Sequence, residues 1–146
     1  CLSEMHAVGA SFDRADLEFA SVGNAILTGA NFTQANLLNA CFRGAQLQDA
    51  LFFEAQLDWA ALSQTKLQRA KFSDASLFGT MLEDSDLQGA DLTGADLRQS
   101  NFEGANLEGA LIEGSQVFGA VFTDARGLDE EQRRYLIDHG ALNVPT

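Results

Sequence analysis

Basic residues are scarce in this chain. Nine Lys and Arg stand against 21 Asp and Glu, a formal charge of −12 at pH 7. A nucleic-acid binder needs Lys and Arg to displace counterions from phosphates, so the composition argues against direct DNA or RNA binding. It argues equally against docking on anionic lipid. The acidity is uneven: residues 1–80 carry eight acids and five bases, residues 81–146 thirteen and four. No apolar run approaches the ~20 residues of a membrane-spanning helix. There is one Pro, and there are only two Cys and two His. With His6 and His139 near opposite ends, no Ser/His/Asp or Cys/His set is expected to assemble.

What is present in abundance is one pattern. Every fifth residue from Phe12 to Phe122 is large and apolar, 23 positions without a break. Two residues before each stands a small one, from Ala10 to Ala120, varied only by Thr65, Thr80, Ser85, Ser100 and Ser115. A period of five smears its apolar residues around a helix and does not alternate like a plain strand. A small-x-large-x-x unit makes a short extended step and then turns. Four such units close a square of about 20 residues, and squares stack at ~4.8 Å.

Ala90-Asp91-Leu92-Thr93-Gly94, Ala95-Asp96-Leu97-Arg98-Gln99 and Ala105-Asn106-Leu107-Glu108-Gly109 carry the A(D/N)LXX consensus. Over about residues 10–125 the chain resembles the pentapeptide repeat family. The resemblance implies an all-β solenoid, a right-handed quadrilateral β-helix, here of about six coils. The Phe residues of the register support four walls: Phe12, Phe32, Phe52 and Phe72 fall 20 apart on one wall, and Phe42, Phe102 and Phe122 on the opposite one. Turn chemistry changes along the chain. The last pentad residue is Gly at most positions from Gly79 onward but rarely before it, which predicts type II turns mainly beyond residue 79 and less regular ones earlier.

The ends read differently. Residues 1–9 are assigned as an N-terminal capping segment, 10–125 as the coil and 126–146 as a C-terminal cap. In the cap, residues 128–140 read as a short helix. Asp129 is its N-cap, Gln132 stands three residues on and Gly140 is the stop, with Leu136 and Ile137 as apolar anchors on the last coil. This segment also offers a route to dimerisation, as similar tails do in some relatives. Cys1 and Cys41 form a disulfide only if residues 1–9 leave the register, since in register they lie two coils apart. The start at Cys1 fits a lipoprotein, a processed secreted or lumenal protein, or an arbitrary boundary. A processed start favours the thylakoid lumen or bacterial periplasm over the cytoplasm.

No catalytic, cofactor or metal site is expected. Asp86, Asp91 and Asp96 are spaced by five and so point in three directions, giving no paired-carboxylate or Ca²⁺ site. The Gly spacings from Gly89 onward lack the Lys-Ser/Thr of a phosphate loop. Lys66, Arg69 and Lys71 make a small, solvated basic spot. Attention falls on the outer surface. The wall built on Leu17, Leu37, Leu57, Leu77, Leu97 and Val117 projects Phe19, Leu38, Trp59, Phe78 and Phe118 outward, interrupted by Arg98 and Gln99. The adjoining face adds Leu51, Phe53 and Leu111. The repeat does not require aromatic residues there, so they either contact a partner or shield backbone. The expected function is a non-catalytic scaffold offering flat faces to a protein partner. The alternative, implied by the resemblance, is an acidic DNA mimic that binds type II topoisomerase and protects against fluoroquinolones. A passive stabilising domain of a larger protein is a third.

Overall fold

The computed structural model describes residues 1–146 and shows a β-helix with one α-helix at its C-terminal end. Parallel bridges join each residue before a register position to the residue 20 further on, from His6–Ile26 through Asn106–Arg126. One coil is therefore 20 residues. Each pentad is held the same way. The Phe32 amide donates to the Leu51 carbonyl (2.7 Å) and that of Gln34 to Phe53 (2.8 Å) on the coil above. The Asn31 amide donates to Ala10 (2.9 Å) on the coil below, and the Ala35 amide closes the turn onto Phe32 (3.0 Å).

The interior is packed as the repeat demands. From Val22 to Phe122 every register residue is buried, as are the Ala residues two places before each from Ala25 onward. Phe12, Phe32, Phe52 and Phe72 stack almost parallel, with ring centroids 4.9, 5.0 and 4.7 Å apart, and Phe102 and Phe122 stack at 4.9 Å. Phe42 meets Phe32 edge-on at 5.6 Å from the opposite wall. The buried hydroxyls that replace Ala all find partners. Those of Thr65, Ser85, Ser100 and Ser115 donate to the carbonyl three residues back, and that of Thr80 to Leu57 on the coil below. Polar atoms that would be costly to bury alone are satisfied by nearby backbone.

Three expectations require correction. Turn geometry does not change at residue 79. The last pentad residue has φ near +60° along the whole coil, at Arg14, Phe19, Asn24, Gln34 and Trp59 as at Gly79 and Gly119. The coil closes only if every corner turns alike, so packing imposes the left-handed conformation whether or not Gly is there. Residues 1–9 are not a separate cap either. Glu4 and Gly9 take the same positive φ, Leu2 donates to Ser21, and His6 bridges Ile26. Cys1 thus keeps the register, and both thiols are free.

The third correction concerns the cap. The helix α1 spans Glu130–Asp138. Asp129 caps it reciprocally with Gln132: its carboxylate accepts from the Gln132 amide (2.8 Å) and its own amide donates to Gln132 Oε1 (3.1 Å). Leu136 is fully buried on the last coil, but Ile137 is 60% exposed. Consecutive helical residues lie ~100° apart. The face of α1 that meets the coil instead presents Gln132, Tyr135 and Leu136. Gln132 Nε2 donates to the Ala110 carbonyl and the Tyr135 hydroxyl to Ser115, both at 2.7 Å. After α1 the chain adds a last short extended step. Leu142 bridges Val121, and its carbonyl accepts from the Phe122 amide at 2.9 Å.

Candidate protein-interaction surface

The corners of the coil are built by the polar residues of the repeat. Asp or Asn just before the register position accepts from the amide two residues on: Asp86 from Gln88, Asp91 from Thr93, Asp96 from Arg98, Asn101 from Glu103, Asn106 from Glu108. These Asx turns explain the Asp and Asn of the consensus. Asp86, Asp91 and Asp96 bridge different neighbours, Lys66 and Asn106, Lys71 and Leu111, and Ser76 and Gln116 respectively, and so stand on separate walls. No three His, Cys, Asp or Glu side chains converge to hold a metal ion. The basic spot is locally balanced. Arg69 makes a two-pronged ion pair with Asp49 (2.8 and 2.9 Å), while Lys66 and Lys71 are the β-bridge partners of Asp86 and Asp91.

Side-chain environment separates one corner from the others. Along it run Phe19, Leu38, Trp59, Phe78, Arg98 and Phe118 in successive coils. The corner carrying Asn24, Gly44, Gln64, Asp84 and Gly104 has no apolar residue on it. Phe19 is 70% exposed, Trp59 55% and Phe118 66%, while Leu38 and Phe78 are half-buried. Trp59 lies across Gly79, where a Cβ would run into its ring, and meets Phe78 edge-on at 5.5 Å. The Arg98 guanidinium sits 5.4 Å from the Phe78 ring centroid and pairs with Asp96 at 2.7 Å. The Arg98 side chain, bonded to Asp96, is the main reason that carboxyl stays below its ordinary range, against the opposing effect of burial. Asp58 accepts from the Phe78 amide (3.2 Å) and from Ser76. Phe118 covers Gly140 beyond α1. Trp59, Phe78 and Arg98 thus meet across three successive coils.

Two members of the corner are strained. Phe19 has φ 57° and Trp59 φ 62°, a region that costs an L-residue roughly 1–2 kcal/mol and that bulky side chains seldom enter. Gly or Asn would satisfy the turn better. Leu51, Phe53 and Leu111 do not join the row: Leu51 is half-buried, Phe53 and Leu111 exposed. Between them and the corner runs a polar wall of Asn36, Gln56, Ser76 and Asp96. The sequence register places each of these residues on its wall, but it does not reveal that Trp59 stacks over Gly79 or that Arg98 bridges Phe78 and Asp96.

A family model described as pentapeptide repeat region matches residues 25–110. The chain belongs to the pentapeptide repeat family. Among solved structures, a trypsin-treated form of QnrB1, a plasmid-mediated fluoroquinolone resistance protein, is 27% identical with a TM-score of 0.60, covering 83% of this chain and 69% of that one. Full-length QnrB1 shares the fold at 18% identity, with a TM-score of 0.65 over 92% of this chain and 96% of that one. A pentapeptide repeat protein from the Arabidopsis thaliana thylakoid lumen is 35% identical over 78% of this chain and 77% of that one, with a TM-score of 0.35. No curated protein sequence matches. As in other right-handed β-helices of the family, the large residue of each pentad fills the tube and the small one lets the backbone close around it. No helix is long and apolar enough to cross a membrane.

Proposed function

We propose that this pentapeptide repeat protein is a non-catalytic scaffold that binds a protein partner along the Phe19–Phe118 corner. One observation carries the reading: large aromatic residues occupy strained, solvent-exposed turn positions on a single corner. Phe19 and Trp59 oppose the turn conformation they sit in, and most of their surface stays in water. Exposed, connected aromatic residues are the usual anchors of protein interfaces. The test is capture of interacting proteins on immobilised protein. Replacing Trp59 and Phe78 by Ser removes capture while the circular dichroism spectrum and melting point stay within a few degrees of wild type. Unchanged capture rejects the corner. The exposed Ile137 face of α1 is the proposed site of any self-association. A lumenal or periplasmic location belongs to the same proposal, supported by the identity to the thylakoid-lumen protein.

A second reading rests on the acid-rich half. Thirteen acids against four bases lie beyond residue 80, on a fold shared with QnrB1. An acidic rod of this kind would mimic duplex DNA, bind type II topoisomerase and protect against fluoroquinolones. A gyrase supercoiling assay decides it: absence of any inhibition or protection at micromolar protein removes this reading.

A further inference from the structure

Resting on the corner as the contact surface, we infer that its partner is a basic amphipathic α-helix lying parallel to the coil axis. Spacing is the first argument. The coil rise is fixed by the stacked Phe rings at 4.7 to 5.0 Å, and the corner offers one large side chain per coil from Phe19 to Phe118. An α-helix presents one apolar cluster per 5.4 Å turn, so helix and corner drift by only about 0.6 Å per step. Five coil steps of ~4.8 Å span roughly 24 Å, which a helix of about 16 residues matches. An extended strand laid the same way repeats its face every ~6.7 Å and slips by about 2 Å at each step, losing register within two coils.

The two walls beside the corner supply the second argument. On one side the outward residues are Asp16, Asn36, Gln56, Ser76, Asp96 and Gln116, all polar. On the other they are Ser21, Cys41, Ala61, Met81, Asn101 and Val121, four of them small or apolar, with Met81 41% exposed. The row is therefore the boundary of an apolar strip rather than an isolated line. Acidic groups stand on both edges of the strip: at the far edge the Glu83 carboxylate accepts from the Asn101 side chain at 3.0 Å. Asp16, Glu18, Asp58 and Asp96 lie on or beside the polar edge, and the one cation there, Arg98, is committed to Asp96. The bridging positions of the apolar wall, from Ser21 to Val121 in steps of 20, hold no Lys or Arg. A complementary helix carries a Leu- or Phe-type stripe at i, i+3, i+4 and i+7 against the corner, flanked by Lys or Arg that face these carboxylates.

Trp59, the only tryptophan, reports on the test. Two 18-residue Trp-free peptides of identical Leu, Lys and Ala content are titrated into the protein. One is ordered to give a helical apolar stripe with a Lys flank; the other is shuffled to destroy the stripe. The striped peptide binds at least tenfold more tightly and shifts Trp59 emission to shorter wavelength. Its affinity drops at least fivefold in Phe19→Ser and in Phe118→Ser, which lie at the two ends of the row, away from the reporter. It stays unchanged in Glu108→Gln, which removes one negative charge elsewhere. Equal binding of both peptides, no binding of either, or indifference to the two Ser variants overturns the helix inference. Partner capture by the Trp59 and Phe78 variants is read separately, so failure here is distinguishable from failure of the corner itself.

Discussion

The first and last coils differ in burial, though the repeat between them is uniform. At the C-terminal end Leu136 is fully buried, Phe122 is 1% exposed, and the amides of Gly119 and Phe122 donate to carbonyls of Gly140 and Leu142. At the N-terminal end the interior residues Leu2, Ala7, Phe12 and Leu17 are only partly buried. The amides of Ser11 and Asp16 have no backbone partner there, whereas their equivalents Asn31 and Asn36, one coil up, donate to Ala10 and Ala15. The pentad satisfies a neighbour above and a neighbour below but carries nothing that ends the stack. Closing it takes residues outside the repeat, and at the C-terminal end α1 and Leu142 supply them.

The comparison can be broken most forcefully in the interior. Phe52→Ala removes a ring buried between two stacked neighbours and should cost about 3–5 kcal/mol. Phe12→Ala, at the partly open end, should cost about half as much by the same cavity argument. Urea denaturation of the two variants measures the difference, and equal losses would show that the first coil is as closed as the third. Next in size, Leu136→Ala empties the cap and should cost about 2–4 kcal/mol. Hydrogen exchange should then quicken at Gly119, Phe122 and Leu142 while the amides of residues 2–20 are untouched.

Smaller effects sharpen the picture. Asp129→Ala breaks the reciprocal cap of α1 and should cost about 1 kcal/mol, read as a lower melting point with the coil's own signal unchanged. Smallest is the acid response. Asp96 is held below its ordinary range first by Arg98. Burial pushes Asp91 up, but the Thr93 hydroxyl and amide and then Ser73 outweigh it, so Asp91 too lies low. A carboxyl depressed in the folded state stabilises above its unfolded pKa of about 3.9, and that contribution fades as pH falls through the folded value. Stability should therefore decline below about pH 4, and Asp96→Asn should flatten part of that decline. A pH titration of the melting point checks the slope.

Much of the fold was legible because a five-residue period admits few geometries. Phe12, Phe32 and Phe52 stack as their 20-residue spacing requires, and the capping box at Asp129 and Gln132 sits where its residues indicate. The uniform left-handed corners were not legible. Gln34 and Trp59 show no local preference for positive φ, and only closure of the square imposes it. Ile137 looked as apolar as Leu136, but which of two adjacent helical residues faces inward depends on how α1 rolls onto the last coil. The same holds for the corner row: its members are readable one by one, while their stacking is a matter of side chains 20 residues apart.

Sequence alone determined the tube: one large and one small residue in every five dictate what fills it, how wide it is and that it stacks in parallel. Tertiary structure decided how α1 closes the C-terminal coil and which side chains of the aromatic corner meet. Those features arise from contacts between coils and between coil and helix, where neighbours in space are distant in the chain and no local pattern records their meeting.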